Sequence, residues 1–169
     1  GSQGMISQTN GLAKEFSSNI TEIKTDIIFP WSKLQPGILP TFNWTFKNKI
    51  PNNSIPDILI SCGRKSVYFS LFFKKKYEKI INIHIQNPKI SNKNFNFVIS
   101  PNHDNFYGEN IINSVGALHH FGHIKNKSEE KLLTCIIGGN NQHYSFGKNE
   151  IINLCDRLLK IKENNNDLR

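Results

Sequence analysis

Histidine, aspartate and amide side chains follow two short apolar segments of the chain, in HIQNP (84–88) and SPNHD (100–104). A histidine beside an aspartate can act as an acid–base pair in which the carboxylate orients the ring, so His103, Asp104 and His84 are candidate catalytic residues. Adjacent residues need not face each other, however, and Asn, Pro and Asp are also common turn residues. The residues alone leave acid–base chemistry and ordinary turns both open.

Three glycine-containing segments carry further groups that could bind a ligand. In GSQGMISQ (1–8), glycines lead into a predicted helix, whose first N–H groups can hold an anion or a sugar hydroxyl. In SCGRKS (61–66), Gly63 permits close backbone approach and Arg64 can face a phosphate or a carboxylate. In GGNNQHYSF (138–146), neutral donors and backbone N–H groups suit a phosphosugar or a nucleotide. Each segment also has an ordinary interpretation as a turn, a helix start with solvated cations, or a loop.

We predict neither a metal site nor a cofactor. The segment HHFGH (119–123) has three histidines but no acidic or cysteine residue near them, which is a weak pattern for a metal site. The GxxxxGK[ST] spacing of a phosphate-binding Walker loop is absent. The three cysteines are scattered, which argues against a disulfide framework or a CxxC zinc site and indicates a reducing compartment.

The net charge of +8 indicates attraction to polyanions. Lysine is spread along the chain without regular interleaving of basic and aromatic residues, so we predict no nucleic-acid binding. The densest basic run, FFKKKYEK (72–79), lies where a predicted helix ends, and cations there complement the helix dipole. The alternative is that Lys74, Lys75 and Lys76 contact an anionic membrane surface. Without a long apolar run, we expect a cytoplasmic protein, with contact at the periphery of a membrane as the alternative.

The candidate residues lie between predicted strands and helices. Five short apolar segments bounded by Gly, Pro or polar residues predict strands, at 57–62, 79–85, 95–100, 110–115 and 131–139. Helices are predicted from Met5, over 64–77 and over 148–162; 22–29 is a further strand candidate, and 41–55 is left open. This alternation predicts an α/β fold, a Rossmann-like three-layer sandwich with a mostly parallel sheet, whose ligand groups gather at the carboxyl ends of the strands.

Six segments occur in an order that resembles the mitochondrial fission "elongated mitochondria" family. They are GSQGMISQTNGLAKEF, PDILISCGRKS, IHIQNPKIS, FNFVISPNHD, NIINSVGALHH and CIIGGNNQHYSF. The family pattern has a glycine loop ending in Gln, a strand ending in Gly-Arg, His-Ile-Gln-Asp/Asn-Pro, Pro-x-His-Asp, Gly-Ala-Leu-His, and Ile-Gly-Gly followed by His-Tyr. The resemblance covers nearly the whole chain, and six ordered motifs are far more specific than any one of them.

The family is similar to GT-B glycosyltransferases, in which two Rossmann-like domains face each other across a cleft without an essential metal. The resemblance implies an N-terminal domain over 1–120, a linker over 121–131 and the start of a second domain over 132–169. It also implies that the cleft is lined by Gly4, Gln8, Gly63, Arg64, His84, Gln86, His103, Asp104, Gly138, Gly139, His143 and Tyr144. Family members are longer, so we expect a fragment that lacks the strand before the glycine loop and most of the second domain.

Two functions follow from the resemblance. The first is a transferase that binds a nucleotide sugar and passes the sugar to an envelope or lipid-linked acceptor. The alternative is a non-catalytic adaptor that recruits a protein partner at a membrane surface, since a fold does not fix a function.

Overall fold

The sheet is built from four parallel strands, as the alternation of strands and helices predicts. The structure is a computed structural model that describes residues 3–48, 55–119, 133–138 and 144–165. Its strands are β1 (Ile58–Cys62), β2 (Ile81–Ile85), β3 (Phe97–Pro101) and β4 (Ile111–Ser114), and its α-helices are α1 (Gln3–Phe16), α2 (Arg64–Lys76) and α3 (Lys148–Glu163). Short 3₁₀ turns span Asn43–Thr45, Asn92–Asn94 and Asn102–Asp104.

The strands lie side by side in chain order, β1-β2-β3-β4, and every pair is parallel. Ile60 is paired with Ile83, which is paired in turn with Phe97 on β3. Because all four strands run the same way, their carboxyl ends lie at one edge of the sheet. The α/β fold with a parallel sheet flanked by helices is therefore confirmed.

Helix α2 covers one face of the sheet and contributes its buried residues to both core clusters. Its aromatic residues Tyr68, Phe69 and Phe73 are buried, together with Phe46 from the loop that precedes β1. Burying such a side chain stabilises the fold by about 1.5–3 kcal/mol relative to leaving it exposed. Phe69 stacks on Phe73 at 4.5 Å, and Phe46 meets Phe69 edge-on at 5.4 Å, so the loop before β1 is held to the helix by aromatic packing.

The long segment between α1 and β1 is mostly irregular. The strand candidate at 22–29 is not a strand, because it makes one antiparallel bridge, between Ile27 and Phe46, and the described residues extend it no further. Side-chain donors bound to main-chain carbonyls stabilise the loop that follows: Trp31 Nε1 donates to Pro40 O at 3.0 Å, and the Tyr68 hydroxyl donates to Leu34 O at 2.9 Å. The expected strand at 131–139 also fails where it is described, since residues 133–138 form no strand and are exposed.

The contacts divide the chain into two units, Gly1–Gly122 and His123–Arg169. The first unit contains the sheet, helices α1 and α2, and the core. The second contains α3, an amphipathic helix without buried residues among those described. The domain limits expected from the sequence remain predictions. None of the helices in the described part of the chain is both long and apolar enough to cross a membrane.

Candidate functional site

A cleft of about 380 Å³ opens at the carboxyl ends of β2 and β3. Parallel α/β sheets bind ligands at this edge, because loops and helix termini leave polar groups unpaired there. The polar residues that line the cleft are Gln8, Gln86, Asn87, Lys89, His103 and Asp104. Four of them, Gln8, Gln86, His103 and Asp104, are candidates from the sequence, and the fold brings these four together.

Asp104 is oriented by the end of strand β3. The buried Ser100 donates its hydroxyl proton to Asp104 Oδ2 at 3.3 Å, while Asp104 Oδ1 lies 3.7 Å from His103 Nε2. The second distance is too long for a hydrogen bond, and the His103 side chain is 75% exposed. The two residues therefore have the composition of an acid–base pair, and the ring needs only a small movement to bind the carboxylate.

The backbone around the cleft contains three non-glycine residues with positive φ, which are the three found in the described part of the chain. Gln86 has φ of 76° and Lys89 has φ of 59° in the loop after β2, and Asn105, at 48°, follows Asp104. Asn adopts this conformation readily, whereas in glutamine and lysine it costs roughly 1–2 kcal/mol. Such strain is concentrated at functional sites, and here both strained loops border one cleft.

His84 lies in the interior and does not line the cleft. It faces α2 from strand β2, its Nδ1 is 2.8 Å from the buried Ser61 hydroxyl, and its ring packs against Phe95 at 5.2 Å. Burial lowers the pKa of His84 to about 4, so the ring is neutral at pH 7. The arrangement supports the structural interpretation of this histidine, and its use as a base remains a prediction.

Gly63 and Arg64 join β1 to α2. Gly63 has φ of 86°, which favours glycine, and an added Cβ would lie 2.7 Å from the sulfur of Met5 on α1, so a side chain here would also displace the flexible end of Met5. The Arg64 guanidinium donates to the carbonyls of Leu34 at 2.6 Å and Ser32 at 2.5 Å. Arg64 thus holds the loop before β1, and its predicted phosphate contact is untested. Gly4, on α1, has open space where a Cβ would project.

The end of β1 offers no reactive thiol. Cys62 is half-buried, and burial raises its pKa to about 11, so it is protonated at neutral pH. The candidates of the second unit are described only in part: Gly138 and Tyr144 are exposed, while Gly139 and His143 lie outside the described residues. Most of HHFGH lies outside them too, and the described residues contain no cluster of three or more potential metal ligands.

The basic run at the end of α2 makes local contacts. Lys74 Nζ donates to the carbonyls of Glu78 at 2.9 Å and Ile80 at 2.6 Å, and Lys76 lies 5.0 Å above the ring of Tyr77. These contacts stabilise the turn between α2 and β2, and the membrane contact of the lysines remains a prediction.

Lys89 is a cleft residue that the motifs did not single out, and Asn87 belongs to the motif HIQNP (84–88) but was not a candidate by itself. Both follow Gln86 in the segment QNPK (86–89), directly after the predicted strand at 79–85. A signal for Lys89 was present in the sequence: a lysine follows the end of a predicted strand closely, next to a glutamine and an asparagine that could also bind a ligand. The buried serines Ser61 and Ser100, which contact His84 and Asp104, had no recognisable signal in the sequence.

Comparison with known proteins gives one family and one curated relative. The family model described as "Mitochondrial fission ELM1" matches residues 3–169. An uncharacterized protein of Rickettsia prowazekii (strain Madrid E) is 24% identical over 212 aligned positions, covering 95% of this chain and 58% of the relative, so the chain spans little more than half of that relative's length. No solved structure matches. The resemblance expected from the six motifs is confirmed, and the chain belongs to the mitochondrial fission ELM1 family.

Proposed function

We propose that this chain is part of a GT-B-like transferase that moves a sugar from a nucleotide donor to a hydroxyl group of an envelope or lipid-linked acceptor bound in the cleft. The observation that carries the proposal is the convergence of Gln8, Gln86, His103 and Asp104 on one cleft at the carboxyl edge of a parallel sheet. Amide side chains exchange hydrogen bonds with sugar hydroxyls, and a histidine beside a carboxylate can accept a proton.

In this mechanism His103 removes the proton from the acceptor hydroxyl. The acceptor oxygen forms a bond to the anomeric carbon of the donor sugar, and the bond between that carbon and the phosphate oxygen breaks, so that the nucleoside diphosphate leaves with the electron pair. Asp104 orients the His103 ring and stabilises its protonated form. Gly138, Gly139, His143 and Tyr144 are proposed to hold the nucleotide phosphates and sugar.

The test uses the full-length protein, since the curated relative is longer than this chain. Calorimetry against a panel of nucleotide sugars, followed by a transfer assay with the donor that binds, gives the activity to be compared. We expect His103→Ala to slow transfer by about 10²–10⁴-fold with little effect on donor affinity. Lys93→Ala, an exposed lysine outside the cleft, is the control. Absence of binding to every nucleotide sugar in the panel would overturn the proposal.

A second candidate, an adaptor that binds a protein partner at a membrane surface, is favoured by an exposed aromatic surface before β1. Trp44 is 60% exposed and Phe42 stacks on it at 5.4 Å. Phe29, two residues after the bridge between Ile27 and Phe46, is 77% exposed. Exposed aromatic residues in one patch are typical of protein interaction sites.

A photo-crosslinking residue in place of Phe29 would capture such a partner. The adaptor role predicts a crosslink to one defined protein that is lost in Trp44→Ser and kept in His103→Ala. Sedimentation with neutral and anionic vesicles tests the membrane part separately, because a lysine-rich chain should prefer the anionic ones. Equal crosslinking in Trp44→Ser would remove the support for this role.

A further inference from the structure

Lys89 brings a positive charge into the cleft that no carboxylate neutralises. In the part of the chain that the structure describes, Lys89 makes no ion pair, although Asp104 lines the same cleft. Among the described lysines only Lys47 and Lys65 are ion-paired, both with Asp26, at 3.2 and 3.0 Å, so Lys89 is distinguished by its position in the cleft rather than by the lack of a partner. A cation in a polar cleft without a protein anion is a candidate for binding an anionic ligand.

Gln8 brings an amide group that has no protein partner. The residue is only 8% exposed and lines the cleft from helix α1. Among the described residues, no hydrogen bond to its side-chain amide is found, whereas the buried Asn82 amide donates to Ser70 and to the Asn94 carbonyl. No fully enclosed side-chain N or O atom among the described residues lacks a hydrogen-bond partner, so the Gln8 amide reaches the open space of the cleft, where a ligand can bond to it.

The loop after β2 places Gln86 and Lys89 at the cleft. Gln86 keeps its N–H bound to the Ile99 carbonyl at 2.7 Å, and Asn87 Oδ1 accepts the N–H of Lys89 at 2.9 Å. These two bonds hold the loop while Gln86 and Lys89 adopt positive φ. Positive φ is unfavourable for glutamine and for lysine, whereas glycine adopts it without steric strain. The loop therefore carries backbone strain beside the cleft.

We propose that Lys89 and Gln8 form a phosphate-binding subsite, so that the ligand of the cleft is a phosphorylated sugar rather than a neutral one. The proposal rests on the proposed function in that it takes the cleft as the acceptor site. Lys89 binds the phosphate by charge, and the Gln8 amide donates to a phosphate oxygen. Asp104 repels a second anion, so the hydroxyl end of the ligand lies near His103 and Asp104.

The experiment titrates the isotopically labelled 169-residue chain with inorganic phosphate, glucose 6-phosphate and glucose, and follows the side-chain NH₂ signals of Gln8, Gln86 and Asn87 by NMR. We expect saturable shifts with the two phosphates and weaker shifts with glucose. Lys89→Gln should weaken glucose 6-phosphate binding by about tenfold or more, because a charge-assisted hydrogen bond is lost. Lys89→Arg keeps the charge and should retain most of the affinity.

Lys93→Gln is the matched control, since it removes the same charge from an exposed lysine that does not line the cleft. Equal effects of Lys89→Gln and Lys93→Gln, or shifts spread over surface lysines without the Gln8 signal, would overturn the subsite. Vesicles of phosphatidylcholine with and without phosphatidic acid distinguish the source of the phosphate: a lipid-linked ligand predicts binding to the acidic vesicles that glucose 6-phosphate displaces, and a soluble one predicts none.

The two proposals fail in different ways. If the full-length protein transfers sugar but Lys89→Gln leaves glucose 6-phosphate affinity unchanged, the subsite is wrong and the transferase stands. If phosphate binding depends on Lys89 but no nucleotide sugar binds, the subsite stands and the transferase is wrong.

Discussion

His84 shows how one buried side chain can set the acid stability of the fold. It lies among Ser61, Phe95 and the α2 face of the sheet, where a charged ring would lose its hydration without gaining a carboxylate. Burial lowers its pKa from 6.5 to about 4. The unfolded chain therefore binds a proton to this histidine at a higher pH than the folded chain does, and stability falls as the pH falls through that interval.

We predict that the free energy of unfolding decreases on the order of 3 kcal/mol between pH 7 and pH 4 because of His84, since each pKa unit corresponds to 1.36 kcal/mol. Urea denaturation at several pH values measures it. Lys65 and Lys47 lower the pKa of Asp26 to about 2. Asp26 therefore reduces the free energy of unfolding mainly below about pH 4 and contributes little between pH 7 and pH 4. His84→Gln should flatten the dependence, whereas His103→Gln should keep it; a steep dependence that survives in His84→Gln would refute the assignment.

Gly63 and Gly4 should respond oppositely to the same substitution. In Gly63→Ala, the new Cβ meets the Met5 side chain and must adopt φ near 86°, so we expect a loss of about 1–2 kcal/mol. In Gly4→Ala, the methyl group enters open space on a helix, and stability should rise by up to about 1 kcal/mol. Thermal unfolding compares the two variants; equal losses would mean that α1 does not approach Gly63 as described.

Among the elements, the loop between residues 30 and 40 depends on helix α2. Arg64 and Tyr68 lie one turn apart on α2 and together bind the carbonyls of Ser32 and Leu34. Loops of this length without regular hydrogen bonds are otherwise open to proteolysis. The first turn of α2 therefore acts as the attachment point for the segment that covers the aromatic core.

Arg64→Ala should accelerate tryptic cleavage after Lys33 by about 30-fold, because the loss of two hydrogen bonds at roughly 1 kcal/mol each favours local opening. Mass spectrometry of the fragment ending at Lys33 measures the rate. Lys75→Ala, an exposed residue in the last turn of the same helix, is the control and should cleave at the rate of the parent. Unchanged cleavage in Arg64→Ala would show that Arg64 is available for the phosphate contact predicted from the sequence.

The sequence predicted regular elements better than it predicted the contacts between them. Strands β1 to β4 and helix α2 were identified because short apolar runs end at Gly, Pro or polar residues, a local signal. The segment 22–29 has the same apolar character but lacks a partner strand, so its composition was misleading. Gln86, His103 and Asp104 could be grouped because parallel strands end at one edge, whereas Gln8, on helix α1, was grouped with them only through the family resemblance. Arg64 is separated from Leu34 by 30 residues and from Ser32 by 32, and no local sequence pattern predicts contacts at that separation.

At the scale of the whole molecule, buried residues are distributed unevenly. Every buried residue found in the described part of the chain lies between Gln8 and Pro101, within the first unit. In the second unit, the apolar residues of α3 are exposed or half-buried. The sheet itself is also covered unequally: Ile81, Phe97 and Ile112, on the face opposite to α2, are exposed, although parallel sheets are usually covered on both faces.

This distribution predicts that the first unit supplies the stability of the chain. A fragment of residues 1–122 should unfold within about 4 °C of the 169-residue chain, a shift that corresponds to roughly 1 kcal/mol or less. Calorimetry on both proteins makes the comparison, with Val67→Ala, at a fully buried position, as the internal control. That substitution should lower the unfolding temperature of both by the same amount, because its contacts lie in the first unit. A fragment that melts far below the whole chain would contradict this prediction.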